Sequence, residues 1–350
     1  MKPRSADEVL DLMDAAFPAA ALGAALELGL FWLLETRPLE AKEVARWLDI
    51  PSGRCRYWLQ LLCGAGLLNE GDDGFSPSST ARSAILRTYS RDSWALLARE
   101  ARERLPGLCH LPLSLREPES AWEAIGLTPR MYVDRMDEDA ERARRFTRML
   151  YELHEPLADE LADCLDLGGV DHLMDLGGGS GVVSLALLRR YPQLKATVVD
   201  IANVCSAGRE IAAELSAEDR ITYHAADFLQ DELPSGFDMV LECDVNVYNV
   251  LLFRRVRDSL NPGGRFVIVD QFAPAEGVAP ASRVHWALEG SLRTASFQFP
   301  TAAMIRDRLR EAGFRDLTES VLPSAQGSCS RMSGGMIVIE ARSSNGGQTC

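Results

Sequence analysis

Residues 172–181 read His-Leu-Met-Asp-Leu-Gly-Gly-Gly-Ser-Gly. This run predicts a buried strand that breaks into a glycine turn, and the apolar residues 182–188 predict a helix directly after it. Gly177, Gly179 and Gly181 let the backbone approach a ligand and take positive φ angles. Because the first amides of the helix face the turn, we interpret the segment as a cofactor-binding turn.

The turn does not follow the dinucleotide fingerprint G-x-G-x-x-G, because the third glycine would fall at Val182 or at Ser184. The pattern is instead Asp-x-Gly-x-Gly-x-Gly, with Asp175 two residues before Gly177. A carboxylate at a strand end repels a pyrophosphate and suits the ammonium group of an amino-acid-like ligand. A Rossmann-like domain that binds another nucleotide is the alternative interpretation.

Acidic residues also follow the next two predicted strands. Asp200 ends the apolar run 196–200, where a carboxylate accepts hydrogen bonds from both ribose hydroxyls. Asp227 follows the third strand and suits an adenine amino group, with the ring of Phe228 against the base. Ammonium, ribose and adenine together describe S-adenosylmethionine.

With these residues the sequence resembles the class I S-adenosylmethionine-dependent methyltransferases. More narrowly, it resembles small-molecule O-methyltransferases with an N-terminal winged-helix dimerisation domain, the caffeate, hydroxyneurosporene and acetylserotonin type. The resemblance covers about residues 10–342, and it includes Asn-Pro-Gly-Gly-Arg at 261–265 before an apolar strand. It implies S-adenosylmethionine as methyl donor, S-adenosylhomocysteine as product, a small-molecule acceptor and a homodimer.

The composition is that of a globular enzyme, with 350 residues, 47% hydrophobic and 25% charged. A net charge of −14 argues against nucleic acid or an anionic membrane as partner. The eight cysteines show no metal-like spacing, so we expect reduced thiols in the cytoplasm and no metal site. The apolar stretch 15–34 contains Pro18 and Glu27, so we interpret it as a core or dimer helix and not a membrane span.

The chain is predicted to contain a helical winged-helix dimerisation domain over 1–95, a helical connector over 96–160 that covers the active site, a methyltransferase domain over 161–343 and a flexible tail over 344–350. Alternating strands and helices predict an α/β fold with a Rossmann-like doubly wound sheet. The predicted strands are 171–176, 195–200, 220–224, 237–242 and 264–270, followed by the antiparallel pair 314–321 and 335–341. A DNA-binding role for the winged helix is the alternative, and its acidic surroundings argue against it.

The sequence departs from its relatives where their general base is expected. Many of these enzymes carry His-Asp-Trp after the fourth strand, whereas this chain has Val-Tyr-Asn at 247–249. The predicted catalytic residues are therefore Asp244, Tyr248 and His285. His285 lies on a helix that lines the acceptor pocket in the family, and its alternative role is packing against Trp286.

Two further residues are predicted to contact the cofactor. Cys243 lies just past the fourth strand, where a ligand at the strand ends is within reach. His154 lies in a helix that covers the methionine part of the cofactor in similar enzymes.

The sequence thus predicts O- or C-methylation of a small aromatic, polyketide-like or keto-acid acceptor. One alternative is a protein of this fold that binds the cofactor and catalyses a hydroxylation, decarboxylation or cyclisation, because fold does not fix chemistry. A winged-helix transcriptional regulator is the more distant alternative.

Overall fold

A computed structural model describes residues 2–118, 120–126, 132–322 and 335–343. The chain divides into two compact units between Cys109 and His110. The N-terminal unit therefore ends later than the predicted boundary at residue 95. The predicted tail, 344–350, lies outside the described residues.

The N-terminal unit is mainly helical. Its elements are α1 (Ala6–Asp14), α2 (Ala16–Leu28), α3 (Leu30–Leu33), α4 (Ala41–Trp47), α5 (Ser52–Gly64), β1 (Leu68–Gly71), β2 (Gly74–Pro77), α6 (Ser79–Ala84), α7 (Arg91–Glu103) and α8 (Leu105–Cys109). β1 and β2 form an antiparallel hairpin after α4 and α5, and Leu39 bridges to Phe75.

The core of this unit explains why it extends past residue 95. α7 packs against α2, and its Ala98 is buried in the same cluster as Phe31 and Leu59. The first part of the predicted connector therefore belongs to the N-terminal unit. α1 contrasts with this core, because none of its residues is buried.

The second unit contains the large sheet and the helices that cover it. Its helices are α9 (Leu111–Ser114), α10 (Ala121–Ala124), α11 (Tyr132–Glu138), α12 (Ala140–Cys164), α13 (Val182–Arg190), α14 (Ala202–Glu214), α15 (Val250–Ser259), a 3-10 turn (Ala281–Arg283), α16 (Val284–Arg293) and α17 (Ala302–Glu311). α12 packs on α13 and α14, so the second part of the predicted connector belongs to this unit.

Seven strands of the described residues form one sheet in the order β5-β4-β3-β6-β7-β9-β8. They are β3 (His172–Leu176), β4 (Lys195–Asp200), β5 (Ile221–Ala225), β6 (Phe237–Cys243), β7 (Leu260–Asp270), β8 (Phe314–Val321) and β9 (Ile337–Ser343). β3 to β7 pair in parallel, and β9 is antiparallel to both of its neighbours. The predicted doubly wound α/β sheet with a C-terminal antiparallel strand is confirmed.

The sheet buries an apolar layer on each face. Leu173, Val198 and Leu241 belong to the layer under α12 and α13, whereas Met174, Val240 and Ile268 belong to the layer under α15 and α17. β3 lies between β4 and β6. From β3 the chain runs outward to β4 and β5 on one side, and it then crosses to β6 on the other side of β3. Ligands of such sheets bind outside the carboxyl ends of the strands at this switch point.

The observed strands match the predicted ones to within a few residues, apart from β7. This strand begins at Leu260 and not at residue 264, because Leu260 already pairs with Phe237 across an irregular register. The Asn-Pro-Gly-Gly segment is therefore part of the strand.

Candidate active site

The glycine turn after β3 has the conformation that its sequence predicts. Gly177, Gly179 and Gly181 have φ angles of 66°, 57° and 76°, in the left-handed region that favours glycine. The amide of Gly177 donates a hydrogen bond of 2.8 Å to the carbonyl of Val199. The turn is thereby fixed to the end of β4, and α13 begins immediately after it.

Asp175 lies beneath this turn. Its carboxylate is 1% exposed and accepts a 2.7 Å hydrogen bond from the hydroxyl of Ser184. A Cβ added at Gly178 would lie 2.4 Å from the Asp175 carboxyl carbon. Burial raises the pKa of Asp175 to about 6, although bonds from Ser184 lower it. These contacts place the Asp175 carboxyl group against the turn, and its direct contact with an ammonium group stays a prediction.

Asp200 joins the end of β4 to the same turn. One carboxylate oxygen accepts a 3.0 Å hydrogen bond from the amide of Gly179, and the other accepts from the amide of Ile201 at 2.8 Å. Burial raises the pKa of Asp200 to about 6, and the charge of Asp175 adds to this effect. The carboxylate lies at the strand tip, as predicted for a ribose acceptor.

Tyr132, at the start of α11, is a neighbour of Asp200 that the sequence analysis did not identify. Burial raises the pKa of Tyr132, and the charge of Asp200 raises it further. The side-chain amide of Asn203 donates to the carbonyls of Met136 and Asp137, both at 2.9 Å. These bonds hold α11 against the start of α14, close to the tip of β4.

Asp227 and Phe228 follow β5 as predicted. The carboxylate of Asp227 accepts from the Leu229 amide at 2.9 Å and from the Gln230 side chain at 2.6 Å, so it orders its own loop. A Cβ added at Gly177 would lie 3.5 Å from the ring of Phe228. The ring is therefore beside the glycine turn.

These residues fit S-adenosylmethionine. A Cβ would collide with Val245 at position 177 and with Asp175 at position 178, whereas nothing lies within 4 Å of the Cβ position of Gly179, so the backbone is open to a ligand there. Asp200 at the tip of β4 and Phe228 beside the turn supply an acceptor and an aromatic surface. When bound, the cofactor supplies an electrophilic methyl group.

A partly buried ionic cluster follows β6. Asp244 has a φ of 55° and accepts from His154 Nε2 at 3.3 Å and from Arg283 at 3.2 Å. His154 Nδ1 lies 2.8 Å from the carbonyl of Leu150, which only accepts. Nδ1 therefore donates to Leu150, and Nε2 lies against the Asp244 carboxylate, which links α12 to the end of β6.

The charge of Asp244 is stabilised by this cluster. Burial alone raises the pKa of Asp244, but the bond from His154 and the charges of Arg283 and His154 outweigh it, so the pKa is below its ordinary value. Arg283 also donates to the Gln271 side chain at 3.1 Å. The structure thus brings the predicted residues Asp244 and His154 together just after β6, next to the 3-10 turn.

Cys243 and Tyr248 lie at opposite ends of the segment that connects β6 to α15. Burial raises the pKa of the Cys243 thiol well above its ordinary value, so the residue is an uncharged thiol. The hydroxyl of Tyr248 donates to Asp270 Oδ2, and the side chain is 8% exposed. Arg308 donates to the carbonyl of Tyr248 at 2.6 Å.

Glu242 is the least expected residue of the site. It is fully buried, and neither carboxylate oxygen completes a hydrogen bond with a described residue. Burial raises the pKa of Glu242 well above its ordinary value, and the charge of Asp270 raises it further. The Val247 amide is close enough to favour the ionised form without completing a hydrogen bond.

His285 lies on α16 with its side chain exposed. Its ring centroid is 5.7 Å from that of Trp286. This contact agrees with the alternative role in packing, and the role of His285 as a base stays a prediction.

Besides Tyr132, four residues of the site were not identified from the sequence. Glu242 and Asp270 carried a usable signal, because they are acids at the ends of apolar strands, as Asp175 and Asp200 are. Arg283 and Ser184 carry no such signal, because their partners lie 39 and 9 residues away.

A cavity of about 340 Å³ lies beside Tyr248 in the second unit. Its walls combine two phenylalanines, a methionine and several polar side chains. The lining residues are Asn246, Tyr248, Ser296, Phe297, Gln298, Phe299, Pro300, Met304 and Arg308. The rings of Phe297 and Phe299 meet edge to face, with centroids 6.3 Å apart.

Comparison with known proteins now identifies the family. The sequence model of the O-methyltransferase domain matches residues 114–315, more than half of the chain. The chain belongs to this family. It is an S-adenosylmethionine-dependent methyltransferase.

Relatives of this methyltransferase act on small molecules. The 3-hydroxy-5-methyl-1-naphthoate 3-O-methyltransferase of Streptomyces sahachiroi is 29% identical over 309 residues, 87% of this chain and 88% of that protein. The L-tyrosine C(3)-methyltransferase of Streptomyces lavendulae is 28% identical over 274 residues, 74% of this chain and 73% of that protein. The solved structure of PigF with S-adenosylhomocysteine has a TM-score of 0.82 at 20% identity, covers 97% of this chain and 100% of that one, and shows the same fold.

Proposed function

We propose that this methyltransferase methylates a small hydroxylated aromatic compound, on the hydroxyl oxygen or on a ring carbon next to it. The observation that carries the proposal is the cavity of about 340 Å³ beside Tyr248, with phenylalanine walls and the cation of Arg308. Its size suits a ligand of one or two aromatic rings. The printed names of two relatives, a hydroxynaphthoate O-methyltransferase and a tyrosine C-methyltransferase, support an acceptor of this class.

The proposed roles of the cofactor residues follow from their positions. Asp200 accepts hydrogen bonds from the ribose of S-adenosylmethionine, because its carboxylate ends β4 at the switch point. The Gly177–Gly181 turn takes the methionine part, with Asp175 holding the turn from below. Phe228 packs against the adenine ring, and Asp227 orders the loop that carries it. Their assignment rests on this geometry together with the family.

The proposed roles beyond β6 are different. Asp244 holds His154 and Arg283 in place, so that α12 and the 3-10 turn close over the end of β6. Cys243 contributes an apolar wall, because its thiol is uncharged. Positioning an acceptor against a reactive methyl donor supplies roughly 7–11 kcal/mol of a reaction barrier, so catalysis does not require the histidine that this chain lacks.

The test uses purified full-length protein with S-adenosylmethionine and two pairs of compounds. Each pair differs in a hydroxyl: 3-hydroxy-5-methyl-1-naphthoate with 5-methyl-1-naphthoate, and L-tyrosine with L-phenylalanine. We expect a methylated product and an equal amount of S-adenosylhomocysteine from at least one hydroxylated compound and from neither partner, measured by mass spectrometry. A product without an added methyl group would instead support a hydroxylation, decarboxylation or cyclisation.

We also propose that the N-terminal unit pairs with a second copy of the chain in the cytoplasm. The stretch Ala6–Leu28 is long and apolar enough to resemble a membrane span, but composition alone is weak evidence. α1 and the start of α2 leave Met13 73% and Phe17 66% exposed, beside Leu10 and Leu12. Such a patch on a water-soluble chain marks an interaction surface.

Light scattering at micromolar concentration tests this pairing. We expect the mass of two chains for the wild-type protein and of one chain for Met13→Glu/Phe17→Glu. Leu215→Glu is the control, because this leucine is exposed in the second unit and its substitution leaves the apolar patch intact. A wild-type mass of one chain would refute the proposal.

A further inference from the structure

Glu242 and Asp270 are two carboxyl groups buried next to each other inside the sheet. Glu242 pairs in register with Ile268, so Asp270 lies two residues further along β7 and on the same face of the sheet. The two residues are 0% and 2% exposed. Neighbouring buried carboxyl groups repel each other when both are ionised, which favours one retained proton on the pair at neutral pH.

The surroundings decide which group holds that proton. Asp270 accepts from the Tyr248 hydroxyl and from the Gln271 amide, the latter at 2.6 Å, and both bonds favour its ionised form. Glu242 completes no hydrogen bond with a described residue. The proton therefore resides on Glu242, and Asp270 is the group left to gain or lose one near neutrality.

The charges around Asp270 adjust this balance. Burial raises the pKa of Asp270 to about 7, and the charge of Asp244 contributes. The bonds from Tyr248 and Gln271 and the charge of Arg283 act in the opposite direction. His154 contacts Asp244, and Arg308 reaches the carbonyl of Tyr248.

Tyr248 connects this pair to the cavity. It is one of the cavity's lining residues, and its hydroxyl is bonded to Asp270. The segment that carries it also meets the cofactor turn, because a Cβ added at Gly177 would lie 2.8 Å from the Val245 side chain. The cavity, Tyr248, Asp270 and the cofactor turn thus lie together at the carboxyl ends of the parallel strands.

We propose that Tyr248 and Asp270 form a proton relay that takes the hydroxyl proton of the methyl acceptor, with Glu242 as the protonated neighbour that keeps a second charge out of the site. The relay rests on the proposed function. The acceptor O–H bond breaks as the tyrosine oxygen gains that proton, and the tyrosine passes its own proton to Asp270 Oδ2. The electron pair left on the acceptor is then available to bond the methyl group. Tyr248 is the residue that touches the acceptor, and Asp270 acts through it.

Infrared spectroscopy of the protein without cofactor or acceptor tests the protonation. We expect the carbonyl stretch of a protonated carboxylic acid at pH 8 in the wild-type protein and in Asp270→Asn, and its absence in Glu242→Gln. Lowering the pH through about 7 adds a band in the wild-type protein that Asp270→Asn lacks, whereas the bands of Asp175 and Asp200, whose pKa values are about 6, are common to both proteins. Glu340→Gln, which changes a partly exposed acid of β9, is the control and keeps both bands. A wild-type spectrum equal to that of Glu242→Gln overturns the proposal.

The pH dependence of methyl transfer tests the relay, with the compound that the wild-type protein methylates. We expect the wild-type rate to rise with pH through about 7, and the rise to be absent in Asp270→Asn. Tyr248→Phe and Asp270→Asn should each lose roughly 10²–10⁴-fold in kcat, the usual contribution of a general base. Glu340→Gln keeps the wild-type rate and pH profile.

The outcomes separate the relay from the proposed function. Should the wild-type protein methylate none of the hydroxylated compounds, the proposed function fails and the relay falls with it. An active wild-type protein whose Tyr248→Phe variant keeps both rate and pH profile overturns the relay alone. Circular dichroism confirms folding, and Tyr248→Phe retains the backbone carbonyl that Arg308 bonds, so it serves if Asp270→Asn does not fold.

Discussion

The carboxyl ends of β3 and β4 differ from those of β6 and β7 in how their buried acids are satisfied. Asp175 accepts a hydrogen bond from the Ser184 hydroxyl, and Asp200 accepts from the backbone amides of Gly179 and Ile201. Asp270 accepts from the backbone amide of Gln271 and also from the Tyr248 hydroxyl, and Glu242 completes no hydrogen bond with a described residue. The first pair of strands carries the general part of the site, and the second pair carries the part particular to this chain.

The largest effect is expected from Asp200→Ala. Two ribose hydroxyls would lose their acceptor, and each unsatisfied group costs about 1–3 kcal/mol. We therefore expect S-adenosylhomocysteine to bind about 10²–10⁴-fold more weakly, as measured by calorimetry. Unchanged affinity would show that Asp200 does not bind the cofactor. The assignment of the cofactor site to the ends of β3 and β4 would then be wrong.

The next prediction concerns the pH dependence of stability in Asp175→Asn. The folded pKa of about 6 lies above the ordinary 3.8, so the folded state binds the proton more tightly than the unfolded state. The contribution of Asp175 to the stability of the wild-type protein is therefore largest below pH 3.8, and it is lost as the pH rises through 6. The wild-type free energy of unfolding falls by about 3 kcal/mol over this range, and the Asp175→Asn variant does not lose it because its amide carries no charge.

Urea unfolding of the full chain at pH 8, 6 and 4.5 measures this difference. The stability of Asp175→Asn relative to wild type should increase as pH rises. Asp238→Asn is a control of opposite sign: burial alone raises the pKa of Asp238, but hydrogen bonds from Asn261 and from the His172 and Asp171 amides outweigh it and lower that pKa. A larger loss of cofactor affinity in Asp175→Asn than in Asp200→Ala would identify Asp175 as a direct ligand, as the sequence predicts.

The same comparison explains what the sequence could predict. The order of strands, the glycine turn and Asp200 follow from local patterns, because each depends on residues close in sequence. Tyr248 was predicted as a site residue, but its bond to Asp270 was not, since no sequence pattern records which side chains of two different elements face each other. Arg283 reaches Asp244 across 39 residues, and no periodicity records such a contact. Burial also changes the role that we propose for Asp175, because its carboxylate faces Ser184 beneath the turn.

Gly178→Ala sharpens the description of the cofactor side. The added Cβ would lie 2.4–2.6 Å from the Asp175 carboxyl group, so the turn or the carboxylate must move. Overpacking of this kind costs typically 1–3 kcal/mol, which predicts cofactor binding about 5–150-fold weaker by calorimetry. Gly53→Ala is the matched control, because nothing lies within 4 Å of the Cβ position there. Equal affinities in the two variants would show that the turn is not held from below.

The smallest effect is expected from His285→Ala. The side chain is exposed and its ring packs beside Trp286, whereas the proposed relay uses Tyr248 and Asp270 on other elements. A surface substitution of this kind changes free energies by about 0.5 kcal/mol or less, so kcat should stay within about threefold of wild type. Steady-state rates between pH 6 and 9 measure this with the compound that the wild-type enzyme methylates. A loss of roughly 10²–10⁴-fold that removes the pH dependence would instead identify His285 as the base. The base that removes the acceptor's proton would then lie on α16, and the buried carboxyl pair at β6 and β7 would have only a structural role.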